Sequence, residues 1–266
     1  MTSRIHGCSR RIACATSIAS LLLIAGNAPA GTSVSSTFLT VNASNGSGAG
    51  TYSIPLSSPD IFVDNQPDGD IWYWNLPSQV SIMDGPNVVA TLVSMTVLAG
   101  RNTQPDGEVR WGIDIDYGVV AGSTATSFEL ISPTVFFDML IGARGNTSAT
   151  RIGTDQNSNG ISHIPGLLSG FGYEGTVNGG TLFRNYFNTI VTDVGSGSFG
   201  QAGNMSPPGT WLNIGPAVSS MQAKFMFTVS AGDATGGTSQ YSIAPAPGAV
   251  ALLGLAGLVG TRRRRA

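Results

Sequence analysis

Apolar and polar residues alternate with a period of two through much of the middle of this 266-residue chain. Val109–Val119 is the clearest case. Trp111, Ile113, Ile115, Tyr117 and Val119 fall on one side, and Arg110, Gly112, Asp114, Asp116 and Gly118 on the other. Successive side chains of an extended chain point to opposite faces, so this run predicts a half-buried antiparallel strand. Lys224–Val229 repeats the pattern, with Phe225, Phe227 and Val229 on one face. Thr37–Val41, Ile71–Asn75, Val88–Leu98, Ser127–Ile131 and Val135–Ile141 are filled with the β-branched and aromatic residues that suit a pleated surface. Gln240–Ile243 reads as a last strand. Helical periodicity is scarce, and a short piece around Leu182–Val191 is its best candidate. Asn42–Gly50 and Gly195–Gly203 read as flexible loops, and Gly232–Ser239 as a turn. Many short strands between Gly- or Pro-containing turns predict an all-β fold, an antiparallel β-sandwich of jelly-roll type.

The two ends break this pattern. Residues 1–30 have the form of a secretory signal peptide: Arg4, Arg10 and Arg11, then an apolar core centred on Leu21-Leu22-Leu23-Ile24, then Ala28-Pro29-Ala30 as a small-residue cleavage site. At the other end, Pro245-Ala246-Pro247-Gly248 precedes an uncharged apolar run to Gly260, and Arg262, Arg263, Arg264 and Arg265 follow. Gly248–Gly260 gives roughly 20 Å of helix at 1.5 Å per residue. Extension back to Ile243 and snorkelling arginines close most of the gap to a bilayer core of ~30 Å. Terminal arginines favour a cytoplasmic C-terminus. The expected organisation is a signal peptide (1–30), an exported β domain (31–244) and a membrane-inserting tail (245–266).

The tail resembles the PEP-CTERM sorting signal, in a Pro-Ala-Pro-Gly variant with Ala246 where the name-giving glutamate stands. The resemblance is confined to this last tenth of the chain. It implies recognition by an exosortase-like processing enzyme, a transient stay in the inner membrane of a Gram-negative bacterium, and cleavage near Pro245–Gly248. It also implies a final home at the cell surface or in an extracellular polysaccharide matrix. The logic parallels a GPI signal, whose hydrophobic tail is removed after sorting.

Removal of both ends changes the charge balance. The whole chain carries a formal −2, but the 31–244 span keeps six basic residues against fifteen acidic ones, a formal −9. Such a surface repels nucleic acid. Both cysteines, Cys8 and Cys14, lie in the signal segment, so the exported domain has no disulfide framework, thiolate metal site or thiol nucleophile.

Candidate chemistry is sparse. Asp155-Gln156-Asn157-Ser158-Asn159-Gly160-Ile161 opens like a calcium loop, with Asp155, Asn157 and Asn159 as side-chain ligands and the Ile161 carbonyl as a further one. Gly166 stands where the bidentate glutamate would be, and a plain Asx-rich turn yields the same string. Asp60, Asp64, Asp68 and Asp70 crowd a second acidic segment that calcium would neutralise. Trp72 and Trp74 share one strand face. Exposed, they would stack on sugar rings and make the protein a carbohydrate binder; buried, they are core. Asp114 and Asp116 are a carboxylate pair of the kind used in glycoside hydrolysis, or a solvated strand face. His163 is the one histidine outside the signal segment, in a Gly/Pro-rich loop. G-x-S-x-G, H-E-x-x-H and Walker motifs are absent. The expectation is a non-enzymatic exported protein.

Overall fold

The computed structural model describes residues 31–66, 69–166, 170–193, 198–204, 210–215 and 217–246. The predicted signal peptide, including Ala28 and Ala30, lies outside these residues. So do Pro247, Gly248, the apolar tail and Arg262–Arg265.

The described chain is all-β and every strand pairing is antiparallel. The strands, in chain order, are β1 (Ser33–Val34), β2 (Thr37–Asn45), β3 (Gly48–Pro55), β4 (Phe62–Gln66), β5 (Gly69–Asn75), β6 (Val80–Asp84), β7 (Asn87–Thr103), β8 (Val109–Ala121), β9 (Thr126–Ile131) and β10 (Val135–Ile141). They continue as β11 (Arg144–Thr154), β12 (Ile161–Pro165), β13 (Tyr173–Val177), β14 (Thr181–Tyr186), β15 (Val191–Asp193), β16 (Ser198–Asn204), β17 (Leu212–Asn213), β18 (Ala217–Val229) and β19 (Ala234–Ala244).

Two sheets share them. The first runs β1-β10-β18-β9-β2-β3, with β12 and β13 on the opposite edge of β18 from β9. The second runs β16-β11-β19-β8-β7-β5-β4. Its centre is held by long uninterrupted ladders, β8 to β19 and β19 to β11. Alternation explains the packing. The apolar face of β8 meets the apolar face of β18, and Tyr117 lies 4.8 Å from Phe225 and 5.5 Å from Phe227, ring centre to ring centre. Trp111 stacks on Phe137 at 4.8 Å, and Phe183 on Tyr241 at 5.6 Å. One contiguous buried cluster thus joins the two layers, an arrangement consistent with a sandwich.

Several local expectations are corrected. Leu182–Val191 is not helical: Thr181–Tyr186 is β14, paired with β13, and Val191 opens β15. Pairing decided there, because Phe183 and Tyr186 pack onto the core from an extended chain. Asn42–Gly50 is not a free loop but the β2–β3 hairpin, turning at Gly46-Ser47. A side chain at Gly50 would collide with the Met83 carbonyl where the hairpin crosses β6. Ser198–Gly203 is edge strand β16, and β19 begins at Ala234, so only the start of Gly232–Ser239 is a turn. Small residues weaken a propensity signal, yet a register supplied by β11 uses them freely.

Candidate ligand-binding face

The buried face of β5 holds both predicted platform residues. Trp74 is fully buried and Trp72 is 8% exposed. Of the two readings of the pair, the buried one holds and the sugar platform of Trp72 and Trp74 is overturned: both rings fill core, and neither offers a face to a sugar. The side chain displaced outward is Tyr73, paired with exposed Phe62 of β4.

Register extends this outer face across the second sheet. Phe62, Tyr73, Leu98, Asp114, Gln240 and Ser148 are successive partners on six neighbouring strands. The next outward row contains Asn75, Thr96, Asp116, Thr238 and Thr150. Thr96 donates to Asn75 Oδ1 at 2.9 Å, and the Thr150 and Thr238 hydroxyls meet at 2.8 Å.

Between these rows the sheet is hollowed. An open depression of about 420 Å³ is lined by Tyr73, Thr96, Asp114, Asp116, Thr238 and Gln240, among others. It shares Asp114 and Gln240 with a hollow of about 200 Å³ around Gly112, and Asp116 and Thr238 with one of about 400 Å³ around Gly118 and Gly236. The three form one trough along β8 and β19. From Gly112 to Gly118 it spans roughly 20 Å at the rise of a strand. Its Gly112 end is bounded by Arg110, which Glu108 holds at 2.6 Å. Glu108 also pairs with Arg144, and both guanidinium groups lie over Trp211, at 4.9 and 4.8 Å.

Asp114 and Asp116 stand side by side on one strand, on the floor of the trough. Desolvation raises the Asp114 carboxyl from 3.8 to about 6. The folded chain therefore binds a proton there more tightly than the unfolded one. Stability falls as pH rises from about 4 to 6, and the cost persists above that window. Asp114→Asn should accordingly gain about 1–2 kcal/mol at pH 7, allowing for solvent screening of a group that is not fully buried. Urea unfolding at pH 7 and again at pH 3.5 checks it: the gain should vanish at the lower pH.

The predicted calcium loop is a closed turn. Asp155 Oδ1 accepts from Asn157 N at 3.1 Å and Oδ2 from Gly160 N at 2.9 Å. Burial opposes ionisation of Asp155, but the backbone donors of Gly160, Asn157, Ser158 and Asn159 together hold its carboxyl below the usual range. Asn157 Oδ1 accepts from Asn159 N at 3.2 Å, its Nδ2 donates to Ala231 O at 2.7 Å, and Ile161 opens β12 with its side chain buried. These bonds account for the Asp-Asn-Asn-Gly spacing without further ligands. Asp233, unremarked in the sequence, anchors the loop: fully buried, it accepts from Gln156 N at 3.2 Å and from the Ser230 hydroxyl at 2.5 Å.

In the second acidic segment, Asp60 sits in a turn and Asp64 and Asp70 on paired strands, while Asp68 lies outside the described residues. Among the described residues, no three His, Cys, Asp or Glu side chains are grouped to hold a metal ion.

His163 is not in a loop. It sits on β12, 1% exposed, stacked on Phe227 at 4.7 Å. Its Nδ1 lies 2.8 Å from NH1 of Arg151, itself 1% exposed. A guanidinium only donates, so Nδ1 accepts and the imidazole proton sits on Nε2. Arg151 also donates through Nε to Gln201 Oε1 at 2.9 Å and through NH2 to Thr189 O at 2.8 Å. Among the described residues no carboxylate pairs with it. Nothing in the sequence singled out Arg151, because its position in an alternating Thr/Ser/Gly strand only acquires meaning once β11 is paired.

No family model, curated protein or solved structure matches the chain.

Proposed function

We propose that this chain is an exported, non-enzymatic β-sandwich protein, delivered to the cell envelope by its two ends and released or anchored there by processing of its tail. The signal segment exports it, with cleavage after Ala30. The apolar tail and Arg262–Arg265 then stall it in the inner membrane, where an exosortase-like enzyme cuts near Pro245–Gly248. Its working place is the cell surface or extracellular polysaccharide matrix of a Gram-negative bacterium. The observation that carries this reading is the ordered tail: Pro-Ala-Pro-Gly, an apolar run, then four arginines at the extreme C-terminus.

The placement of the ends supports it. Trp111 Nε1 donates to the Thr32 hydroxyl at 3.0 Å, and Trp111 pairs in register with Ile243. Entry to and exit from the folded body therefore meet at one end. β19 runs to Ala244, next to Pro245, leaving no stalk between the domain and the tail.

Intact-mass analysis of the protein from each cell fraction of its host tests the proposal. A chain beginning at Gly31 and ending near residue 245, in envelope or medium, is the expected result. A full-length C-terminus retaining Arg262–Arg265, confined to the inner membrane, would overturn it.

A further inference from the structure

We propose that the trough on the outer face of the second sheet binds a neutral, linear polysaccharide, with Tyr73 stacking on a sugar ring and Asp114, Asp116 and Gln240 bonding its hydroxyl groups. This goes beyond the sorting reading and stands whether or not the tail is cut.

The lining selects the ligand. Asp114 and Asp116 are acceptors, Gln240 both donates and accepts, and the Thr96, Thr238 and Ser148 hydroxyls do either. Vicinal hydroxyls of a sugar present paired donors and acceptors at matching separation. Tyr73, 38% exposed at one margin, supplies an aromatic face for the C–H side of a pyranose ring. The floor stays low because Gly112, Gly118 and Gly236 carry no side chain there. A trough roughly 20 Å long, open along its length, suits several linked rings rather than one small molecule.

Other occupants fit less well. A peptide strand needs an unpaired sheet edge, and β8 and β19 are paired on both sides. A protein partner needs a buried apolar or arginine anchor, whereas Leu98 in the middle of this face is surrounded by Thr96, Asp114, Asp116, Thr238 and Gln240. Asp114 and Asp116 repel a polyanion, and Arg110 at the end is already held by Glu108. Nucleic acid and uronate polymers are disfavoured on that ground.

Isothermal titration of the protein recovered from its host, against cellohexaose, mannohexaose and, as the charged comparison, hexagalacturonate, tests the proposal. At least one neutral hexasaccharide should bind. Tyr73→Ala should weaken it about tenfold, the loss of one stacking partner. Gly112→Val fills the trough from its floor: a Cβ there meets nothing closer than 3.7 Å, so the strand tolerates it while the ligand does not. Both variants should keep the wild-type circular dichroism and unfolding midpoint; should Gly112→Val fail to fold, Tyr73→Ala decides alone. Binding of no neutral hexasaccharide, binding of hexagalacturonate alone, or affinity indifferent to the variants would each overturn the proposal. So would a concentration-dependent dimer abolished by Gly112→Val, which would put a second copy of the chain in the trough.

Discussion

Arg151→Leu is expected to remove about 3–5 kcal/mol of folding stability, a large part of what holds a single domain together. The guanidinium is buried in the second sheet, and its hydrogen-bond partners among the described residues are neutral: His163 Nδ1, Gln201 Oε1 and Thr189 O. Burial lowers it to about 10, against the opposite pull of Tyr117, so it remains a cation at neutral pH. Its ring neighbour is Phe187, 4.9 Å away. Leucine relieves the burial of a charge but strands the buried His163 Nδ1, at about 1–3 kcal/mol, and loses the part-buried bonds to Gln201 Oε1 and Thr189 O, at about 1 kcal/mol each. Arg151→Lys should fall between, since an ammonium cannot reproduce the planar fork that reaches three partners at once. The exposed Arg184, changed to leucine, should move stability by no more than about 0.5 kcal/mol. Urea unfolding at pH 7 gives all three values. An Arg151→Leu protein within 1 kcal/mol of wild type would show that the cluster is not a structural one.

The second large effect is loss of stability in mild acid, set by the same cluster. Burial, and then the adjacent Arg151 charge, lower the His163 imidazole from 6.5 to about 3. The unfolded chain takes up its proton first as pH falls. The stabilising contribution is thus whole above pH 6.5, and drains away as pH falls towards 3. A drop of this size corresponds to about 3–5 kcal/mol over the full window. Asp114 acts in the opposite sense between about 6 and 4, so the clean comparison is made in the Asp114→Asn background. There, stability should fall steadily from pH 6.5 to 4.5. With His163→Asn added, whose amide oxygen can accept from Arg151 but does not titrate, the profile should flatten. A wild-type slope that survives this substitution would remove His163 as its source. Envelope proteins meet the pH of their surroundings directly, so the proposed localisation makes this sensitivity consequential.

Both effects come from residues that a linear reading passes over, and the reason is physical. Arg151 alternates with Thr150 and Ile152 on β11, and strand period alone places it on the inner side. Its cost is bearable only because Gln201 comes from β16, His163 from β12 and Thr189 from the stretch before β15, three separate segments that only the fold brings together. The face proposed to bind sugar shows the same limit in a sharper form. Alternation correctly put Trp72 and Trp74 on one side and left two possibilities for which side that was. The partner sheet decided it: Trp74 is sealed in the core and Tyr73 faces out.

What the sequence determined alone was the class of structure. Period-two alternation in Val109–Val119 and Lys224–Val229 is a local property, set by the geometry of an extended backbone, and both segments are strands in the structure. The basic, apolar and Pro/Gly blocks at the two ends are likewise legible without folding, because export and sorting are proposed to read them as linear segments. Tertiary structure decided what depends on partners. It turned Leu182–Tyr186 into a strand, Asn42–Gly50 into a hairpin, and the Asp155 loop into a turn tied down by buried Asp233. It also brought Tyr73, Asp114, Asp116 and Gln240 onto one open face. Those outcomes rest on registers that run from the adjacent arms of hairpins to the β8–β19 pair, more than a hundred residues apart, and a register is fixed by the summed burial of both faces, which no single segment carries.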